Sequence, residues 1–332
     1  MSNTTQHNTT QHNTTQRVSI VMYHYVRNLY SSRYPDIKGL DLELFRKQID
    51  FLQKNYTFIS TDELIESFEN NLDLPNDSVL LTFDDGYIDH YTNVYPILSE
   101  KEIPAFFSMP GKIISEGKVL DVNKIHFILA STPIDKLIRE IYLELDKHRQ
   151  SGWAIPKNTE LYSKLAVANR FDSASVVFVK RLLQVELDEK LRNIIVDSLF
   201  KSLIGIDESS FAQELYMSYD QVKHMSKQDG FTFGIHGYDH YWMNRLTADN
   251  LKTDIQKALD VFGGIIDKRK WICCYPYGSH SPDVISCVRS MGAVAGFGTE
   301  VNVASLCDDT RYSLPRLDTN DFPPKSQNYL NY

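Results

Sequence analysis

Apolar positions in this chain follow two rhythms. Residues 18–23, 79–83, 105–109 and 231–235 are short runs, apolar at nearly every position, and so read as strands buried on both faces of a parallel sheet. Between them the apolar residues recur at helical spacing. Phe45, Ile49 and Leu52 mark one face of a helix over 41–55, and Leu251, Ile255, Leu259 and Phe262 mark another over 247–262. Ser60-Thr61-Asp62-Glu63 reads as a capping box opening a helix through Phe68, a further helix is expected over 89–101, and Ser281 before Pro282 suits an N-cap and first helical position. Such alternation of strand and helix is what an α/β fold built on a parallel sheet requires. Residues 119–204 differ, with Leu137, Ile141 and Leu145 at helical spacing and few strand signals. They are expected to form a helical insertion.

The chemistry gathers at the ends of two predicted strands. Residues 79–83 run into Asp84-Asp85-Gly86, which places two carboxylates at the rim of the sheet. Neighbouring strand residues point to opposite faces, so both acids reach one cleft only if the chain turns at once, and Gly86 permits that turn. Two close carboxylates do not both stay ionised without a cation, so one is expected to ligate a metal while the other exchanges a proton with water. Residues 231–235 run in the same way into His236-Gly237-Tyr238-Asp239-His240. If the chain coils there into one helical turn, eased by Gly237, the two imidazoles converge on one ion. Imidazole nitrogen and carboxylate oxygen form the usual donor set of catalytic zinc, with one position left for water.

These residues resemble the polysaccharide deacetylase family, carbohydrate-esterase family four, whose first two motifs are Thr-Phe-Asp-Asp-Gly and a His-x-x-x-His pair. Residues 218–223, Tyr275-Pro276-Tyr277-Gly278, Ser313-Leu314-Pro315-Arg316 and the opening strand at 21–26 resemble the family in the same order. The resemblance covers residues 17–111 and 215–320. It implies a distorted (β/α)7 barrel, formed here by residues 17–118 and 215–332 around an insertion at 119–214. It further implies Asp84 as general base, Asp85, His236 and His240 as metal ligands, and the backbone N–H of Tyr277 as a donor to the oxyanion.

The chain departs from the family pattern in three places. Gly237 stands where a small hydroxyl residue usually braces the histidine loop. Cys273-Cys274 occupy the start of the third motif, where an arginine often holds the catalytic acid, and Arg316 from the last strand is the expected substitute. The late Leu-x-His is missing because no histidine follows His280. His24, at the end of the first strand, is the leading candidate for the general acid, and His280 is second.

Composition narrows the partners. A net charge of −8 argues against nucleic acid or an anionic membrane, and no run approaches the length of a membrane span. Residues 1–16 repeat Asn-Thr-Thr-Gln-His and are too polar to bury anything, so a disordered tail is expected, with His7 and His12 facing solvent. The start of the chain lacks the pattern of a secretory signal, which favours the cytoplasm. Adjacent Cys273 and Cys274 point apart on a strand and read as buried thiols rather than zinc ligands. Tyr23, Tyr25, Tyr87, Tyr238, Tyr241 and Trp242 flank the acids and histidines and read either as a sugar platform or as rim packing.

The expected reaction is the removal of an N-acetyl or other acyl group from an amino sugar in a polysaccharide or its cytoplasmic precursor, with a divalent metal, Zn2+ by its donor set, as cofactor. An acetylated glycan is then the partner, and the insertion offers an oligomer surface. A carbohydrate-binding barrel without turnover and a cyclic amide or imide hydrolase are the alternatives.

Overall fold

The computed structural model describes residues 16–70 and 72–332. The expected tail lies outside the described residues up to position 15, His7 and His12 with it. Its last residue, Gln16, is described and held: its carbonyl accepts from Leu306 N–H and its side chain donates to the Leu72 carbonyl.

The barrel strands run parallel, and the short Ala304–Ser305 segment pairs antiparallel with Arg17 and Val18 at one edge. β1 (Arg17–Tyr23) pairs with β2 (Ser78–Phe83), β2 with β3 (Ala105–Met109), β3 with β4 (Phe231–Ile235), β4 with β5 (Trp271–Cys274), and β5 with β6 (Ala293–Phe297). A last segment closes the ring. Leu314 bridges Phe297 in parallel, and β7 (Leu317–Asp318) pairs with Val21 and Met22 of β1. This is a (β/α)7 barrel, distorted where β4 and β5 share the single register pair Ile235–Cys273.

Period-two alternation divides the strand side chains between two layers. Outside, Tyr23, Phe83, Phe107 and Phe233 stack ring on ring across four adjacent strands, with centroids 4.9, 5.1 and 5.3 Å apart. Inside, Val18, Ile20, Leu80, Phe106, Ile272, Phe297 and Leu314 fill the barrel. The interior is tight: a Cβ on Gly234 would lie 2.5 Å from both the Ile272 carbonyl and the Phe106 ring. Asp84, Ser108, His236 and Cys274 continue the inward-facing register at the carboxyl ends of β2 to β5.

The helices cover the outer layer. α1 (Leu42–Asn55) buries Phe45, Ile49 and Leu52 behind an Asp41 cap, and α2 (Thr61–Glu69) opens on the Ser60–Glu63 capping box. A π-helical turn, His90–Val94, leads into α3 (Tyr95–Glu100), and α4 (Gly111–Ser115) follows β3. The helical insertion comes next: α5 (Asp121–Ser131), α6 (Ile134–Gln150), α7 (Asn158–Leu165), α8 (Ala174–Arg181), α9 (Glu189–Leu203) and α10 (Glu208–Leu215) follow one another with no strand between. α6 turns Leu137, Ile141 and Leu145 inward, and a second π-helical turn, Leu182–Glu186, extends α8. α11 (Tyr219–Met225), α12 (Ala248–Val261) and α13 (Pro282–Ser290) complete the barrel layer, and Thr247 and Ser281 cap the last two. No helix among the described residues is long and apolar enough to cross a membrane.

Candidate active site

The carboxyl ends of the strands bring the two motifs together. Asp84 leaves β2 with its N–H on the Tyr23 carbonyl, and its carboxylate turns inward. Asp85 and Gly86 then both take left-handed backbone, φ 75° and 68°, which swings the second carboxylate to the same side. Gly86 has no room for a side chain, since a Cβ there would meet Met109 Cε at 2.6 Å.

The histidine pair is presented differently from the expected helical turn. The chain after β4 is an irregular loop in which Gly237 and His240 have φ 67° and 56°, so two left-handed residues rather than a coil aim both rings inward. Asp254 on α12 holds that loop. Its carboxylate accepts the Tyr238 N–H at 2.9 Å and the Asp239 N–H at 3.3 Å, and a Cβ at Gly237 would stand 3.0 Å from it. The missing hydroxyl at position 237 is thus answered by an acid from a neighbouring helix.

Asp85 Oδ1 lies 3.4 Å from His236 Nε2 and 3.5 Å from His240 Nε2, and a ligand atom from each of the three side chains lies within 4.8 Å of the other two. The set fits a divalent cation on three grounds. Asp85 Oδ1 is buried with no hydrogen-bond partner in the protein, an arrangement costly for a carboxylate unless something else satisfies it. His236 donates its Nδ1–H to the Cys274 carbonyl at 2.7 Å, which leaves Nε2 as the inward nitrogen with its lone pair free. Burial pushes the His240 pKa down to about 3, so the ring is neutral as a ligand must be. A second cluster, Asp84, His236 and Cys274, is a poorer site because the Asp84 carboxylate is already taken.

Arg316 takes it. The side chain is fully buried and lies flat against Asp84, Nη1 donating to Oδ1 at 3.0 Å and Nη2 to Oδ2 at 2.8 Å. Its Nε donates to the Gly298 carbonyl and Nη1 also to Thr82 Oγ1. Ser108 Oγ adds a hydrogen bond to Asp84 Oδ1 at 2.7 Å, with Cys274 Sγ at 3.3 Å. Burial favours the neutral acid, but the guanidinium outweighs it and holds the Asp84 carboxyl well below the usual range.

His24 Nε2 lies 4.0 Å from Asp84 Oδ2, and its side chain is 38% exposed to the cleft. Tyr277 has φ 57°, which turns the chain after β5 toward the cleft, and its ring meets His240 edge-on at 4.5 Å. His24, Asp84, Asp85, His236, His240 and Tyr277 all line one cavity. His280 does not line it and hydrogen-bonds the Gly278 carbonyl through Nδ1.

Tyr23, Tyr25 and Tyr87 are not a sugar platform, being at most 2% exposed. Tyr23 stacks on Phe83 in the outer layer, and Tyr25 and Tyr87 stack on each other with centroids 3.9 Å apart. Tyr87 donates its hydroxyl to Asp85 Oδ2, burial keeps that phenol protonated, and Asn123 Nδ2 donates to Tyr87 Oη at 2.7 Å. Asn123 is fully buried and takes a hydrogen bond from the Tyr216 hydroxyl at Oδ1. Val122, His126, Lys180 and Gln184 also face the cavity from the insertion. Sequence reading missed all of these. The available signal was polar Asn123 and His126 inside the apolar run from Val122 to Ile128.

The sequence pattern of the polysaccharide deacetylase family matches residues 71–157 and 206–296, more than half of the chain, and the interruption falls among the helices of the insertion. The chain belongs to that family. It is 39% identical over 67 residues to the poly-beta-1,6-N-acetyl-D-glucosamine N-deacetylase of Escherichia coli K12, a stretch that is 20% of this chain and 10% of that protein. It is 30% identical over 117 residues to the putative polysaccharide deacetylase YxkH of Bacillus subtilis, 35% of this chain and 41% of the relative. These matches thus span under half of either relative. Among solved structures, the Streptococcus pyogenes deacetylase PplD in complex with acetate superposes with a TM-score of 0.57 at 17% identity, over 96% of this chain and 98% of that one. IcaB from Ammonifex degensii gives 0.54 at 18% identity, over 95% of each. At such identities the likeness shows the fold.

Proposed function

We propose that this protein is a metal-dependent hydrolase that removes an N-acetyl group, or a close acyl equivalent, from an amino sugar in a polysaccharide or its cytoplasmic precursor. One observation carries the reading: an unpartnered, buried Asp85 oxygen and two imidazole nitrogens converge beside a second carboxylate that is held ionised. Asp85, His236 and His240 would hold a divalent cation, and their N2O donor set favours Zn2+. Bound there, the cation supplies Lewis acidity to the acyl carbonyl and to water.

The chain's own residues do the rest. Asp84 accepts the proton of the attacking water, and Arg316 and Ser108 fix the carboxylate for it. The Tyr277 backbone N–H, aimed by its left-handed turn, donates to the developing oxyanion. His24, the exposed imidazole across from Asp84, delivers the proton to the leaving amine. The insertion at 119–214 forms one wall of the cleft and so takes part in choosing the glycan.

Acetate release from acetylated chito-oligosaccharides tests the reaction. The wild-type chain releases acetate, and Asp84→Asn is slower by about 10²–10⁴-fold with its metal still bound. Glycan binding without acyl release from any donor would leave a carbohydrate-binding barrel in its place.

A further inference from the structure

The cleft does not end at the candidate metal site. Gln184, Lys180 and Tyr277 line both the catalytic cavity and a groove of about 440 Å³ that runs on between barrel and insertion. On the barrel side the groove is walled by Trp242 stacked on Tyr277, centroids 4.6 Å apart and planes 7° from parallel. On the insertion side lie Lys180 and Arg181, at the end of α8.

Charge is distributed unevenly there. In a chain of net charge −8, three arginines flank this groove and, among the described residues, none forms an ion pair with an acid. Arg181 is exposed at its wall. Arg192, in the adjoining recess beside Trp242 and Tyr277, donates to the Gln184 carbonyl, and Arg245, 5.7 Å from the Trp242 ring, donates to the Val185 carbonyl. Neutral carbonyls fix these guanidiniums without cancelling their charge. Lys180 shares Asp172 with Lys38, so two cations face one carboxylate. Of the acids nearby, Glu186 pairs with Lys164 and Asp239 with Lys112, while Asp121, in the recess of Arg192, shares Lys124 with Asp197 and Glu208 and so offsets part of the Arg192 charge. Arg181 and Arg245 beside an aromatic wall, with Lys180 and no ion-paired acid of their own among the described residues, form a receptor for a carboxylate or phosphate oxygen.

We propose that this groove binds an anionic substituent, a carboxylate or a phosphate, carried by the glycan next to the acylated sugar. The proposal rests on the deacylase reading and names its substrate class: an acidic glycan rather than a neutral one. A negatively charged protein would otherwise repel such a polymer, and a local cationic groove both overcomes that repulsion and sets the register in which the acyl group meets Asp84.

Three length-matched oligosaccharides distinguish the sources: neutral N-acetylglucosamine units only, the same with alternating hexuronate, and the same with a phosphodiester between units. Their binding is measured by calorimetry on the His24→Ala chain, which slows turnover and leaves the buried Asp84–Arg316 pair intact, and KM and kcat are measured on the wild type. One of the two acidic ligands is expected to bind at least about tenfold tighter than the neutral one, with an advantage that fades with salt. Arg181→Gln, on an exposed side chain with no partner to lose, is expected to erase most of that advantage through KM while leaving kcat and neutral-ligand binding unchanged. Arg192→Lys, which keeps the charge but not the fork, separates the two contributions. Equal or better binding of the neutral oligosaccharide, or a preference that survives both substitutions, would overturn the proposal. Failure of all three to release acetate from the wild type bears on the deacylase reading instead.

Discussion

The Arg316 guanidinium and the Asp84 carboxylate meet edge to edge, in two hydrogen bonds of 3.0 and 2.8 Å, with both side chains buried at the floor of the cleft. The arginine comes from the segment that closes the barrel between β6 and β1, so ring closure and orientation of the acid depend on the same stretch of chain. Removing one member of a buried pair leaves the other charge uncompensated. Arg316→Ala is therefore expected to lose about 3–5 kcal/mol of unfolding free energy and most turnover. Arg316→Lys restores a charge without the planar fork and should recover only part of both. Urea unfolding and kcat measure the two effects, and wild-type turnover in a folded Arg316→Ala chain would remove the role.

Tyr87 and Asn123 bind the insertion to the candidate metal site. With Tyr87 donating to Asp85 Oδ2, only Oδ1 faces the two imidazoles, so the acid is set to ligate through one oxygen. Tyr87→Phe and Asn123→Ala are each expected to weaken Zn2+ binding by about 10–100-fold. Because Asn123 acts through Tyr87, the double variant should bind no more weakly than Tyr87→Phe alone. Chelator competition measures the affinities. Additive losses would mean that Asn123 acts on packing instead.

His90 gives the fold an acid-sensitive point away from the ligands. Burial lowers its pKa to about 4, although its Nε2 contact with the His24 carbonyl works the other way. The unfolded ring titrates near about 6.5, so the unfolded chain takes up the proton first as pH falls. Stability from this group is complete above that value and declines as pH drops toward about 4. Between pH 7 and 5 the loss from His90 is about 2 kcal/mol. His90→Gln keeps a donor for the carbonyl and cannot ionise, so its stability should fall by that much less over the same interval. Parallel pH dependences of unfolding for the two proteins would contradict this.

How far the sequence could be read follows from the range of the forces involved. Strands buried on both faces and helices with strong caps are local patterns, which is why residues 105–109 and the Ser60 and Ser281 caps stand where their spacing put them. The convergence of Asp85 with His236 and His240 was legible because each motif sits at a strand end and parallel strands end on one rim. The loop carrying His240 was not, because its shape depends on Asp254, which lies on a helix beyond it in the chain. Asn123 and Arg181 were hidden for the same reason. Nothing in a helix's own sequence tells which barrel residue it will touch.

The most direct measurement is the metal content of the purified protein and of two variants, Asp85→Ala and His240→Ala, after equilibration with Zn2+ and removal of the excess. One tightly held ion per wild-type chain and none in either variant is the predicted result. A wild-type chain that holds no ion, or variants that retain it fully, would contradict the central claim that Asp85, His236 and His240 form a single cation site.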